Sequence, residues 1–177
     1  GTYTLPGTCA DFTFNYNNCC RNPNISNLVA PSGQGIFIRS VLNNMISNNS
    51  TPKFDPKIVR ALCVNKLATI KFGSVDANQD SLYYRLVAPK TNASNCTFNS
   101  LNYVSGYSVE QPISTAPTNP AVFDSLKGTF YVTPSQQGIY QVSVAIDEYR
   151  WNPVTMSRYL IGRSFCDIPV IVAATCN

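Results

Sequence analysis

Apolar and polar residues alternate with a period of two along much of this chain. Phe12, Phe14 and Tyr16 fall on one side of a strand, with Asp11, Thr13 and Asn15 on the other. Gly35 to Leu42 and Leu67 to Phe72 read as further strands. Leu82, Tyr84 and Leu86 alternate with Tyr83, Arg85 and Val87. The longest run sets Tyr140, Val142, Val144 and Ile146 against Gln141, Ser143, Ala145 and Asp147. Such alternation predicts strands buried on one face, because successive side chains of a strand point to opposite sides. Arg158 to Ala173 is a second long strand, and a turn around Asn152-Pro153 predicts that the two pair antiparallel. No stretch sustains a period of 3.6. Val41 to Ile46 is compatible with a strand end or a short helix.

Breakers separate the strands: Pro31-Ser32-Gly33, Pro52, Pro56, Pro89, Pro112 to Pro120, and Pro134 with Gly138. The Asn48 to Pro56 stretch, rich in Asn, Ser, Thr and Pro, reads as a linker. It divides the chain into 1–52, whose two or three strands are too few to hold a core alone, and 53–177, a sandwich of about seven strands. The Asn92 to Asp124 region is turn-rich and longer than an ordinary connection, with Tyr103, Tyr107 and Phe123 as anchors.

Composition sharpens this picture. Hydrophobic residues make up 44% of the 177, enough for a core, while charged residues make up 12%, about half the usual share. Asn, Ser and Thr supply the polar surface instead, which suits β structure and an extracellular setting. The net charge of +4 is spread thinly, without the basic stripe of a nucleic-acid binder. No apolar run approaches the length needed to span a bilayer. Gly1 to Gly7 reads like the interior of a longer protein. Seven cysteines, Cys9, Cys19, Cys20, Cys63, Cys96, Cys166 and Cys176, stand at wide spacing and the chain has no histidine. That pattern points to disulfides made in an oxidising compartment rather than to a zinc site. The count is odd, so at least one thiol is left over. Cys19 and Cys20 are adjacent and are expected to bond elsewhere, because disulfide geometry favours Cα atoms about 5.5 Å apart.

Three stretches, taken in order, resemble a known class of protein. The first is Cys9 to Ile25, with its Cys19-Cys20-Arg21-Asn22 element. The second is Leu42-Asn43-Asn44, Asn49 to Phe54 and Cys63-Val64-Asn65. The third holds Gly128 to Pro134, Gly138-Ile139-Tyr140, Glu148-Tyr149-Arg150 and Ile161-Gly162-Arg163, ending at Cys176. Together these resemble large secreted proteins of Bacteroidetes: gliding-motility and adhesin-type surface proteins with Ig-like or cadherin-like modules, exported by the type IX system. The resemblance implies an all-β, disulfide-stapled fold: an Ig-like or cadherin-like antiparallel sandwich preceded by a partial β domain. It implies a non-catalytic structural or adhesive module, outside the cell or on its surface, acting in adhesion, gliding or filament assembly. Its partners would be other domains of the parent chain, neighbouring copies, or surface polymers and glycans. The first stretch would lack its earlier strands, which accounts for a thiol whose partner lies upstream. Cys166 departs from the pattern and is expected to form a bridge particular to this protein.

Several residues carry candidate chemistry. Ser74 to Leu82 resembles the Asp-x-Asp-x-Asp-x-Leu turn of cadherin-like repeats, so Asp76, Asn78 and Asp80 are candidate calcium ligands. The same residues also suit a hydrogen-bonded β-turn. Asp80-Ser81-Leu82 and Asp124-Ser125-Leu126 look like the Bacteroidetes O-glycosylation triplet, at Ser81 and Ser125. Tyr149, Trp151 and Tyr159, near the tip of the long hairpin, are candidates for sugar stacking. They support an alternative function, a carbohydrate-binding module of a secreted polysaccharide-utilisation system. Catalysis finds no support: without histidine there is no Ser-His-Asp or Cys-His pair. Asp147 and Glu148 are strand neighbours and point apart. Glu148 and Arg150 share a face and read as a surface ion pair, worth little.

Overall fold

The structure, a computed structural model, describes residues 4–45, 48–55, 58, 60–93 and 97–176. The described residues form an all-β chain of thirteen strands. In order these are β1 (Phe12–Asn18), β2 (Ile36–Leu42), β3 (Lys53–Phe54), β4 (Ala61–Cys63), β5 (Ala68–Lys71), β6 (Ser74–Val75) and β7 (Ser81–Leu86). There follow β8 (Lys90–Asn92), β9 (Phe98–Ser100), β10 (Val122–Asp124), β11 (Thr129–Val132), β12 (Gly138–Asn152) and β13 (Ser157–Ala173).

The β12–β13 hairpin is the spine. Its strands run 15 and 17 residues and pair antiparallel from Gly138↔Val172 to Asn152↔Ser157, with a bulge at Glu148/Tyr149. The turn closes where the alternation and Asn152-Pro153 place it. The Asn152 side-chain oxygen accepts the N–H groups of Val154 and Thr155, an Asx turn that caps the ladder. Around this spine the large sheet runs β1-β2-β13-β12-β7. β4 joins β13 in parallel, so the sheet is not wholly antiparallel as expected. Val41 and Leu42 end β2 as strand, and Ile46 lies outside the described residues. Both strands of segment 1–52 are bonded into the same sheet as β12 and β13, so the sheet runs across the expected boundary.

A three-stranded sheet, β10-β11-β5, packs against this one. Ile70, Phe72, Phe130 and Val132 meet Tyr84, Val142, Val144, Ile146, Ile168 and Val170 in the main core. Tyr84, Val142, Val144 and Ile146 are residues that the alternation assigns to one face of their strands. Gly128 turns the chain between β10 and β11 at φ 59°. A side chain there would lie 2.6 Å from the Tyr84 ring, so glycine serves both the backbone and the packing. The anchors of the long region behave as expected: Tyr103 packs on Ile25, Leu28 and Leu101, Tyr107 on Tyr140, and Phe123 on Phe72 and Phe130.

The expectation of a half-buried β12 fails on its polar side. Gln141, Ser143 and Asp147 are all buried. Arg85 and Arg163 meet Asp147, and residues 21–30 cover the Gln141 end of this face. Arg21 pairs with Asp167 at 2.6 Å, both side chains being almost fully enclosed. Gln141 and Ser143 donate to the same carboxylate. The Asn27 amide donates to the carbonyls of Pro112 and Gln141 and accepts the Gln141 N–H. Polar side chains can be buried on a strand when each finds a partner.

The cysteines divide in a way the spacing did not reveal. Cys63 bonds Cys176, tying β4 to the end of the chain. Cys19 and Cys20 bond each other, contrary to expectation; their peptide bond is cis, which brings their Cα atoms to 3.1 Å. Among the described residues Cys9 and Cys166 have no disulfide partner. Cys166 packs against the main core, where burial and the nearby Asp167 push its thiol up to about 12. Cys96 lies outside the described residues. No helix among the described residues is long and apolar enough to cross a membrane.

Candidate metal centre

The core face of β12 ends in charge. After Tyr140, Val142, Val144 and Ile146 the same face presents Glu148 and then Arg150. Glu148 sits opposite Leu82 of β7 and Gly162 of β13. It is fully buried, and neither carboxylate oxygen has a hydrogen-bond partner. Gly162 makes this position tenable, since a side chain there would collide with Glu148 Oε2. The turn before β7 brings two more acids. Oxygen atoms of Asp76, Asp80 and Glu148 all lie within 4.8 Å of one another, a cluster able to coordinate a divalent ion.

Local chemistry fixes each carboxylate. Asp76 Oδ1 accepts the N–H groups of Asn78 and Asp80 at 2.9 Å each, while its Oδ2 is buried without a partner. Asp80 receives Arg150 in a fork, Nε to Oδ1 at 2.7 Å and Nη2 to Oδ2 at 2.5 Å. Arg150 also donates to the Asn48 carbonyl and the Asn49 side-chain oxygen, and the fork to Asp80 raises its proton affinity. Asn78 turns away: its side-chain oxygen accepts the Ser50 N–H at 2.9 Å.

Glu148 is the electrostatic outlier of the cluster. Burial pushes its carboxyl up to about 8. The nearby Asn49 amide draws it partly down, and the charges of Asp76 and Asp80 drive it further up. A like-charged neighbour and a dry setting both disfavour the carboxylate. The expected Glu148–Arg150 surface pair is therefore not formed: the two share a face, but Arg150 binds Asp80 and Glu148 lies inside.

Of the expected calcium set, the structure brings Asp76 and Asp80 together, sends Asn78 outward, and adds Glu148. Sequence reasoning passed over Glu148, although its register was visible: it continues the apolar series of β12 at the one place where an acid occupies a core position. Asn49, read as linker, also faces the cluster.

The remaining candidates lie elsewhere. Tyr149 and Trp151 share one face of β12, whereas Tyr159 pairs with Arg150 and lies on the other. A cavity of about 590 Å³ is lined by Ser81, Leu82, Tyr83, Leu126, Tyr149 and Arg158. Ser81 is exposed at the start of β7, and Ser125 sits in the turn that Asp124 caps through the N–H groups of Leu126 and Lys127.

The chain matches no protein-family model, no curated protein and no solved structure.

Proposed function

We propose that this chain is a non-catalytic structural or adhesive module of a large extracellular bacterial surface protein. In this reading the two packed sheets are the leaves of an Ig-like or cadherin-like sandwich, and the ion at the acidic cluster is calcium. The observation that carries the reading is the position of Glu148. The acid with the most displaced proton affinity is fully enclosed, where no substrate reaches it. Its chemistry serves the joining of chain segments. The Cys19–Cys20 and Cys63–Cys176 bridges fit an oxidising compartment. The likeness to gliding-motility and adhesin-type proteins of Bacteroidetes supplies the setting: adhesion, gliding or assembly beside other domains or copies.

Protease shaving of intact source cells, followed by non-reducing peptide mapping, tests this. Surface release of peptides with both bridges closed is the expected result. Recovery from the cytosol with free thiols contradicts it.

One observation favours a second reading, a carbohydrate-binding module. The cavity beside Tyr149 lies on the same strand face as Trp151, which is half exposed. Aromatic faces beside a shallow cavity suit sugar rings. Ser81 lines that cavity, so a glycan attached at Ser81 would fill it. Loss of glycan binding in Trp151→Ala and Tyr149→Ala supports this reading; an unreactive wild-type chain on glycan arrays removes it.

A further inference from the structure

We infer that a divalent cation binds between Asp76, Asp80 and Glu148, and that it locks the Asn48–Ser50 segment onto the end of the spine. The inference deepens the structural-module reading and rests on it for the choice of calcium as the ion tested first.

The cluster is an unfinished site. Asp76 Oδ2 and both oxygens of Glu148 are buried acceptors without donors. A buried polar atom left unpaired costs about 1–3 kcal/mol, and more if charged. Proteins rarely leave several such atoms pointing at one spot. These three atoms are acceptors, and the Asn49 amide that faces Glu148, itself buried without a partner, offers a donor to that acid alone, so room is left for a cation among the three carboxylates.

Charge selects the cation. Once Glu148 gives up its proton, three carboxylates and one arginine carry a formal charge of two minus, which a divalent ion neutralises. The donors are hard oxygens without sulfur or imidazole, which selects calcium or magnesium over zinc. Glu148 offers two free oxygens side by side, the bidentate arrangement that calcium accepts and small octahedral magnesium takes poorly. Asp76 Oδ1 is committed to backbone N–H groups, so Oδ2 is the atom left for the ion. Each Asp80 oxygen holds one Arg150 hydrogen bond and keeps a lone pair.

The consequence follows from what the ligands hold. Arg150 grips Asp80 together with the Asn48 carbonyl and Asn49. The turn that Asp76 organises presents Asn78 to the Ser50 N–H. An ion that fixes Asp76 and Asp80 against Glu148 therefore fixes this segment, which joins β2 to β3, against the sheet. Without the ion, Arg150 and one hydrogen bond from Asn78 carry that attachment among the described residues.

Calorimetric titration of the chelator-treated full chain with calcium, and separately with magnesium, tests the site. Amide hydrogen exchange at Asn49, Ser50 and Asn78 tests the lock. The expected result is one calcium per chain, weaker magnesium, and slower exchange at those amides with calcium. Glu148→Gln keeps the shape of the side chain while removing its charge, and should weaken calcium by roughly tenfold or more. No calcium binding by the folded wild-type chain overturns the inference, as does undiminished binding by Glu148→Gln. Calcium binding that leaves exchange at Asn49 and Ser50 unchanged overturns the lock. None of these outcomes depends on where the protein resides, so the surface-module reading stands or falls separately.

Discussion

Asp147 and Glu148 are consecutive residues of one strand, both buried, and their surroundings are opposite. Asp147 faces the polar side. Arg85 donates to it at 3.1 Å, and Arg163 grips it with Nε and Nη2. Burial opposes its ionisation, yet the hydrogen bonds and charges of Arg163 and Arg85 outweigh burial and hold its carboxyl below the usual range. Glu148 faces the core side, where two more carboxylates and the Asn49 amide meet it and its oxygens keep no hydrogen-bond partner. A buried carboxylate persists when it is paired. The first is satisfied within the chain; the second keeps buried acceptors without a hydrogen-bond partner, which the proposed ion would take up.

The polar side should be the more costly to disturb. Arg21→Met leaves Asp167 enclosed without its cation. A loss of about 3–5 kcal/mol is expected, the usual effect of breaking a buried pair, read from urea unfolding at neutral pH. Asp147→Asn should cost less, about 2 kcal/mol, because both arginines are more than a third exposed and solvent screens them. An equal or larger loss for Asp147→Asn would remove the distinction between the enclosed pair and the rim.

The core side should respond with the opposite sign. In chelator at pH 9, Glu148→Gln should stabilise the chain by about 2 kcal/mol. The desolvation penalty of the ionised acid is relieved in part, and the unpaired amide offsets the rest. At pH 5 the same variant should be near neutral, since the folded wild-type acid holds its proton there. Glu148 has a raised value in the folded state and the ordinary 4.5 when unfolded. The folded state therefore binds the extra proton between 4.5 and about 8. Wild-type stability in chelator falls across that window as pH rises, and calcium should flatten the fall. Asp147 has the reverse sign: its contribution is present above the ordinary carboxylate range and is lost as pH falls through its depressed value. Thermal melts across pH, with and without calcium, read both. The smallest effect is expected at the hairpin tip, where Trp151→Ala should change stability by less than about 0.5 kcal/mol.

Much of the fold was legible in residue order. The alternation located β1, β2, β5, β7, β12 and β13, and Asn152-Pro153 located the hairpin turn, because period and turn chemistry are local. What escaped depends on contacts across the chain. Nothing near Gln141 and Ser143 announces that Arg21 and Asn27 will cover them. The parallel pairing of β4 with β13 and the Cys63–Cys176 bridge join residues far apart in order. Cys19 and Cys20 bond each other although the usual spacing favours other partners. The acidic cluster was half visible. Asp76 and Asp80 stood out in their turn, whereas Glu148 looked like a surface acid until β7 and β13 enclosed it.

The most direct test of the contrast is a carboxyl carbon NMR titration that follows Asp147 and Glu148 in the same sample, first in chelator and then in calcium. The expected result is that Asp147 titrates below the ordinary range in both, while Glu148 titrates near 8 in chelator and stays ionised through that range in calcium. Ordinary titration of both acids, unmoved by calcium, would contradict the account.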